Sequence, residues 1–119
     1  MPSKNPAQRL ADILENIEAV CEFTEGMQAN DLPGDRKTLY AIVRALEIIS
    51  EAVRRLPVGI RERHPEIDWT AVAAAGNIYR HEYESVDESL VWHTVQYDLG
   101  GLRAMAQAEL NRLHRSEPE

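Results

Sequence analysis

Leu10, Ile13, Leu14, Ile17, Val20, Cys21 and Thr24 recur at intervals of three and four, with acidic residues between them. That period lines one side of a helix and predicts a first amphipathic element of about six turns, closing near Gly26. The stretch NDLPGDRKT carries the Asn, Pro and Gly of a loop. Beyond it, Leu39, Ile42, Val43, Leu46, Ile49, Val53 and Leu56 line a second helix, which Pro57 and Gly59 stop. Ala45, Ile48 and Ala52 widen its apolar stripe, so this helix is expected at the centre of the fold, packed on two sides. VGIRERHPEID reads as a short helical turn or loop, with Asp68 as the N-cap of the next helix.

A third long helix is expected over 69–84. Trp69, Val72, Ala73, Gly76, Arg80 and Tyr83 fall on one side of it, and Ala71, Ala75, Ile78 and Tyr79 on another. A fourth, capped by Ser85 or Asp87, runs to about His114. Gly100–Gly101 marks a kink in it or a close approach to another helix. No strand alternation and no repeat interrupts the pattern. The expected fold is all-α, an antiparallel bundle of four to five helices. It forms one domain over 1–119, with its core over about 8–113 and a frayed tail at 114–119.

Composition narrows the chemistry. Aromatics make up 6% of the 119 residues, so Leu, Ile, Val and Ala must build the core, with Trp92 in it and His93 on the surface. The single cysteine, Cys21, leaves no internal disulfide, suits a reducing cytoplasm and is expected as a buried apolar side chain. With no apolar run of about 18 residues and no signal-peptide core, a cytoplasmic protein without a membrane span is expected. The net charge of −7 argues against nucleic acid, but it is unevenly spread. Residues 36–64 hold seven basic groups (Arg36, Lys37, Arg44, Arg54, Arg55, Arg61, Arg63) against three acidic ones (Glu47, Glu51, Glu62). A local basic surface therefore survives within an acidic chain.

The stretch GNIYRHEYE, Gly76 to Glu84, carries the candidate chemistry. On a helix, Asn77, His81 and Glu84 form one ridge, and Gly76, Arg80 and Tyr83 the adjacent one. Such a band is either a solvated face or, since it extends an apolar stripe, the wall of a pocket or a wet subunit interface. Histidine can move a proton near neutral pH, arginine can hold a phosphate, and tyrosine can donate to an oxygen or stack on a base. His64, His81, His93 and His114 lack paired metal-ligand spacing, and no phosphate loop or serine elbow is present, so neither metal nor cofactor is expected. Of the catalytic types, metal-free phosphodiester cleavage remains. Glu47 and Glu51 are either solvated or paired with Arg44, Arg54 or Arg55, or one of them orients the polar band from across the bundle.

The segment IDWTAVAAAGNIYRHEYESVDESLVWHTVQYDLGGL resembles the HepT-like branch of the HEPN families. There a similar helix reads Trp, an Arg-x4-His-x-Tyr motif, an acidic residue and a VW that opens the last helix. RLADILENIEAVCEFTEG and RALEIISEAVRRLP look like the family's first two helices, so the likeness covers about residues 8–110. It implies a homodimeric bundle whose motifs face each other across a cleft, acting as a metal-independent RNA endonuclease. It also implies a toxin, with an MntA-like nucleotidyltransferase antitoxin as partner that silences it by adenylylating the motif tyrosine. By position the motif histidine is His81, the tyrosine is Tyr83, and Asn77 matches the polar residue after the motif arginine. The arginine itself is missing: five residues before His81 stands Gly76. Arg80, one turn on, could lay its guanidinium over Gly76 as a substitute, or serve as an interface salt bridge. The alternative for the whole protein is a non-catalytic nucleotide- or partner-binding module that associates with a nucleotidyltransferase.

Overall fold

The computed structural model describes the backbone of residues 5–81 and 88–116, and the side chains of 5–75 and 88–115. Within them six α-helices succeed one another: α1 (Pro6–Phe23), α2 (Arg36–Arg54), α3 (Val58–Glu62), α4 (Trp69–His81), α5 (Glu88–His93) and α6 (Leu99–Ser116). A 3-10 turn, Ala29–Gly34, precedes α2, and a π-helical turn, Thr94–Asp98, joins α5 to α6. No strand occurs among the described residues, and the fold is all-α as expected. No helix among them is long and apolar enough to cross a membrane.

The helix starts are set by their caps. Asn5 accepts the Gln8 amide at 3.2 Å and Pro6 opens α1, where a missing N–H costs nothing. Asp35 opens α2 by accepting from the Thr38 amide at 3.0 Å and the Thr38 hydroxyl at 2.6 Å. Those two bonds hold the Asp35 carboxyl below its ordinary value. Gly26, at φ 77°, supplies the left-handed residue that ends the first helical segment. The expected loop after it is instead the 3-10 turn, which tucks Leu32 fully into the core.

Helix α2 is central, packing on α1 along one side and α4 along the other, while α6 covers α1. Leu10, Ile13, Ile17 and Val20 of α1 and Ile42, Ile49 and Val53 of α2 share one core, all at 2% exposure or less. Each such side chain contributes about 1.5–3 kcal/mol on burial, which holds the layers together despite the shortage of aromatics. Ala45 and Ala52 are buried as well, so the widened stripe does reflect two-sided packing.

One charged contact lies inside this frame. Glu109 of α6 is 3% exposed. Its carboxylate accepts from Arg63 Nη2 at 2.6 Å and Nε at 3.2 Å, and His64 Nε2 stands 2.7 Å from its Oε2. The Arg63 guanidinium, with help from His64 and against the effect of burial, holds the Glu109 carboxyl below the usual glutamate range. The turn between α3 and α4 is thereby clasped to α6.

Two expectations fail for identifiable reasons. Cys21 is exposed, not buried. Its helical angle does turn it toward α6, but there it meets Arg103, whose Nη2 lies 3.3 Å from its sulfur and 3.0 Å from Glu18. Gly100 and Gly101 are exposed and a Cβ on either would meet nothing within 4 Å, so they mark no close approach. The irregularity of the last helix is the π turn at Thr94–Asp98, just ahead of them. Trp92 is half-buried against the core and His93 is exposed, close to what their positions suggested.

Candidate functional site

Helix α4 carries the candidate band, and its placement is over-determined at its start. Asp68 caps it, accepting the Ala71 amide at 3.1 Å. The Trp69 indole donates to the carbonyls of Arg61, at 3.1 Å, and His64, at 3.0 Å, tying the first turn of α4 to the end of α3. The Glu109 clasp acts on the same turn through Arg63 and His64.

The middle of α4 is pinned to α2 by polar contacts. The buried Ser50 hydroxyl lies 3.0 Å from the Val72 carbonyl and 2.9 Å from that of Ala73, and donates between them. Arg54 Nη1 donates to the same Ala73 carbonyl at 3.0 Å. In an α-helix these two carbonyls also accept from the amides of Gly76 and Asn77, so the bonds stop one turn short of the band. Arg54 is steadied in turn by Glu51, which accepts from it at 2.6 Å and from Arg55 at 3.0 Å. Both bonds, Arg54's first, hold the Glu51 carboxyl below its ordinary value. Glu47 pairs with Arg44 at 3.4 Å. The pairing reading of both glutamates therefore holds. For Glu51 it also leads, through Arg54, to the α4 backbone.

The two helices run antiparallel. Leu46 and Ala75 line one cavity together with Ser50 and Val72, so advancing along α4 means retreating along α2. Helix α5, which comes six residues after α4, packs on the 3-10 turn that precedes α2. From Ala73, level with Ser50, eight residues of α4 cover about 12 Å. The backbone of His81 therefore lies about level with Ile42, near the basic start of α2. The cavity itself, about 510 Å³, opens between α2, α4 and the π turn, with Leu46, Ile49, Val72, Ala75 and Leu102 on its apolar walls. Asp68 and Asp98 also border it.

Gly76, Asn77, Arg80 and His81 lie on the described backbone of α4 in the order and spacing expected of them. Their side chains, and Tyr83 altogether, lie outside the described residues. Sequence reasoning missed the groups that seat this helix: Ser50, Arg54 and the Glu109 clasp. Ser50 left a signal, a small hydroxyl set inside an apolar stripe between Ile49 and Val53. Glu109 left none, because its partners lie 45 and 46 residues away.

Comparison with known proteins places this architecture in a family. The model of the HepT-like ribonucleases matches residues 13–109. A protein of Thermococcus cleftensis named "Probable ribonuclease HepT" is 40% identical over 79% of this chain and 86% of its own. A "Putative RNase" of Methanocaldococcus jannaschii is 35% identical over 83% of this chain and 82% of its own. Another, of Caldanaerobacter subterraneus, is 32% identical over 92% and 97%. No solved structure matches the chain. The matched segment spans every helix from the middle of α1 to the Glu109 clasp, and the chain belongs to the HepT-like ribonuclease family.

Proposed function

We propose that this protein is a metal-independent RNA endonuclease, the toxin of a HepT/MntA-type toxin–antitoxin pair, acting as a homodimer with α4 beside the two-fold axis. The observation that carries this reading is the HepT-like match over residues 13–109, which includes all of α4 with its Asn77 and His81. Two copies of α4 set face to face bring two such bands to one cleft. His81 accepts the proton of an RNA 2′-hydroxyl as its oxygen attacks phosphorus, or gives a proton to the departing 5′-oxygen. Arg80, taking the part of the absent motif arginine, holds the phosphate oxygens as charge grows on them, and Tyr83 positions the nucleotide. Asn77 supports the band from the next ridge. The anchoring by Ser50, Arg54 and Glu51 suits this role, because a displacement of about 1 Å in a catalytic helix can cost a hundredfold in rate. An MntA-like nucleotidyltransferase is the antitoxin in this reading, and Tyr83 is the residue it modifies. Nucleotide phosphate there would put negative charge where the RNA phosphate must sit.

Gly76, standing where the family motif has arginine, favours a second reading: a non-catalytic nucleotide- or partner-binding module that associates with a nucleotidyltransferase. Three proteins separate the cases in an RNA-cleavage assay. If Arg80 has taken over the phosphate, Arg80→Ala loses roughly a hundredfold to a thousandfold in rate with the fold intact. Gly76→Arg then also loses activity, since it fills the space Arg80 needs. Activity gained by Gly76→Arg over an inactive parent would mean a degenerate nuclease. No cleavage by any of the three would leave the binding module.

A further inference from the structure

Along α2, Arg36, Tyr40, Arg44, Glu47, Glu51 and Arg54 succeed one another at intervals of four and three, and so form one ridge. Arg9 and Asp12 of α1 share a shallow groove with Arg44, Glu47 and Glu51, while Arg54 touches α4. The ridge therefore lies on the flank of α2 between α1 and α4.

Its two halves differ in charge. The later half neutralises itself, Glu51 being shared by Arg54 and Arg55. Residues 36–46 carry Arg36, Lys37 and Arg44 and no carboxylate. Asp35, just before them, is committed to Thr38. Arg44 is 71% exposed, and its 3.4 Å contact with Glu47 is loose. Tyr40 is 54% exposed, so its ring is open to solvent. Arg36 Nη2 donates to the Tyr40 hydroxyl at 2.8 Å, with its guanidinium carbon 5.4 Å from the ring centre. The arginine thus sits off the hydroxyl edge and steadies the phenol, and leaves ring surface open. Arg36 and Arg44 are eight residues apart on the helix, about 12 Å, with Tyr40 midway.

We propose that Arg36, Tyr40 and Arg44 form a subsite for single-stranded RNA, with one base stacked on Tyr40 and flanking phosphates on the two arginines. An exposed aromatic between cations is what binds a single strand without regard to sequence. Its location rests on the ribonuclease reading: the end of α4 lies about level with Ile42, between Tyr40 and Arg44. A strand bound at the end of α4 would then have this ridge at its own level along α2.

The test is fluorescence anisotropy with a labelled single-stranded oligoribonucleotide, on the full chain carrying His81→Ala so that nothing is cleaved. Tyr40→Ala should weaken binding about tenfold, from the loss of one stacked base. Tyr40→Phe should keep most of the affinity, because the ring remains. Arg44→Ala should weaken binding about fivefold and lower the salt slope by about one. Arg112→Ala, an exposed cation on α6, should match the parent. Unchanged binding in Tyr40→Ala and Arg44→Ala, or an equal loss in Arg112→Ala, overturns the subsite. So does ridge-dependent binding of polyglutamate with none of RNA, which would indicate an acidic protein partner. The expected binding pattern in a protein whose wild type cleaves nothing would sink the ribonuclease reading and leave the subsite standing.

Discussion

The Ser50 hydroxyl on α2 lies 2.9 Å from the carbonyl of Ala73 on α4 and donates to it, in an interface that is otherwise mostly apolar. Ser50 is 1% exposed, so this donor has no water to turn to. Ser50→Ala should cost about 0.5–1.5 kcal/mol, since the carbonyls keep their partners within the helix. Ser50→Leu should cost about 1–3 kcal/mol more from overpacking, and should push α4 away from α2. If the position of α4 governs cleavage, the leucine variant loses activity far beyond its loss of stability. Thermal denaturation and a cleavage assay on the same samples separate the two effects.

The Glu109 clasp makes a prediction about pH. A carboxyl held below its ordinary value adds stability that is present in full above the unfolded-state pKa, about 4.3 for glutamate. That stability is lost as pH falls through the lowered folded value. Glu109→Gln should therefore be less stable than wild type near neutrality, by about 1.5–3 kcal/mol. The gap should begin to narrow below about pH 4 and close as pH falls past the lowered folded value. A gap that stays constant down to about pH 3 would mean that Glu109 acts by packing and not by charge.

Trp69→Phe removes the indole donor shared by the Arg61 and His64 carbonyls while keeping most of the ring. A loss of about 1 kcal/mol is expected. Because these bonds seat the first turn of α4, the variant should also show faster amide exchange over residues 69–73 than over α1. Equal protection in both helices would mean that the cap at Asp68 suffices alone.

Much of this was legible in the chain. The stripes of α1 and α2 were readable because spacing by threes and fours is maintained from Leu10 to Thr24 and from Leu39 to Leu56, and Asp68 was recognisable as a cap from its place before an apolar run. The π turn was not legible, since five residues are too few to tell its period from that of an ordinary helix. Cys21 misled because periodicity gives the direction of a side chain and not what stands opposite, here Arg103. The candidate band showed itself through residue types alone. What holds its helix in place, from Ser50 and Arg54 to Glu109, joins residues 19 to 46 apart and leaves no local pattern.

The nucleotidyltransferase proposal predicts a covalent mark. Incubated with an MntA-like enzyme and ATP, wild type should gain the mass of one or more adenylyl groups by mass spectrometry, and Tyr83→Phe should gain none. Equal addition to both would move the modification elsewhere, with Tyr79 and Tyr97 as the next tyrosines to examine.

The central claim is that α4 carries a metal-independent ribonuclease centred on His81. Its most direct test is cleavage of a single-stranded oligoribonucleotide in EDTA by purified wild type and by His81→Ala, with folding of both checked by circular dichroism. The account predicts cleavage by wild type that EDTA does not suppress, and a loss of roughly a hundredfold or more in the variant. Equal cleavage by both proteins, or cleavage that EDTA abolishes, would contradict it.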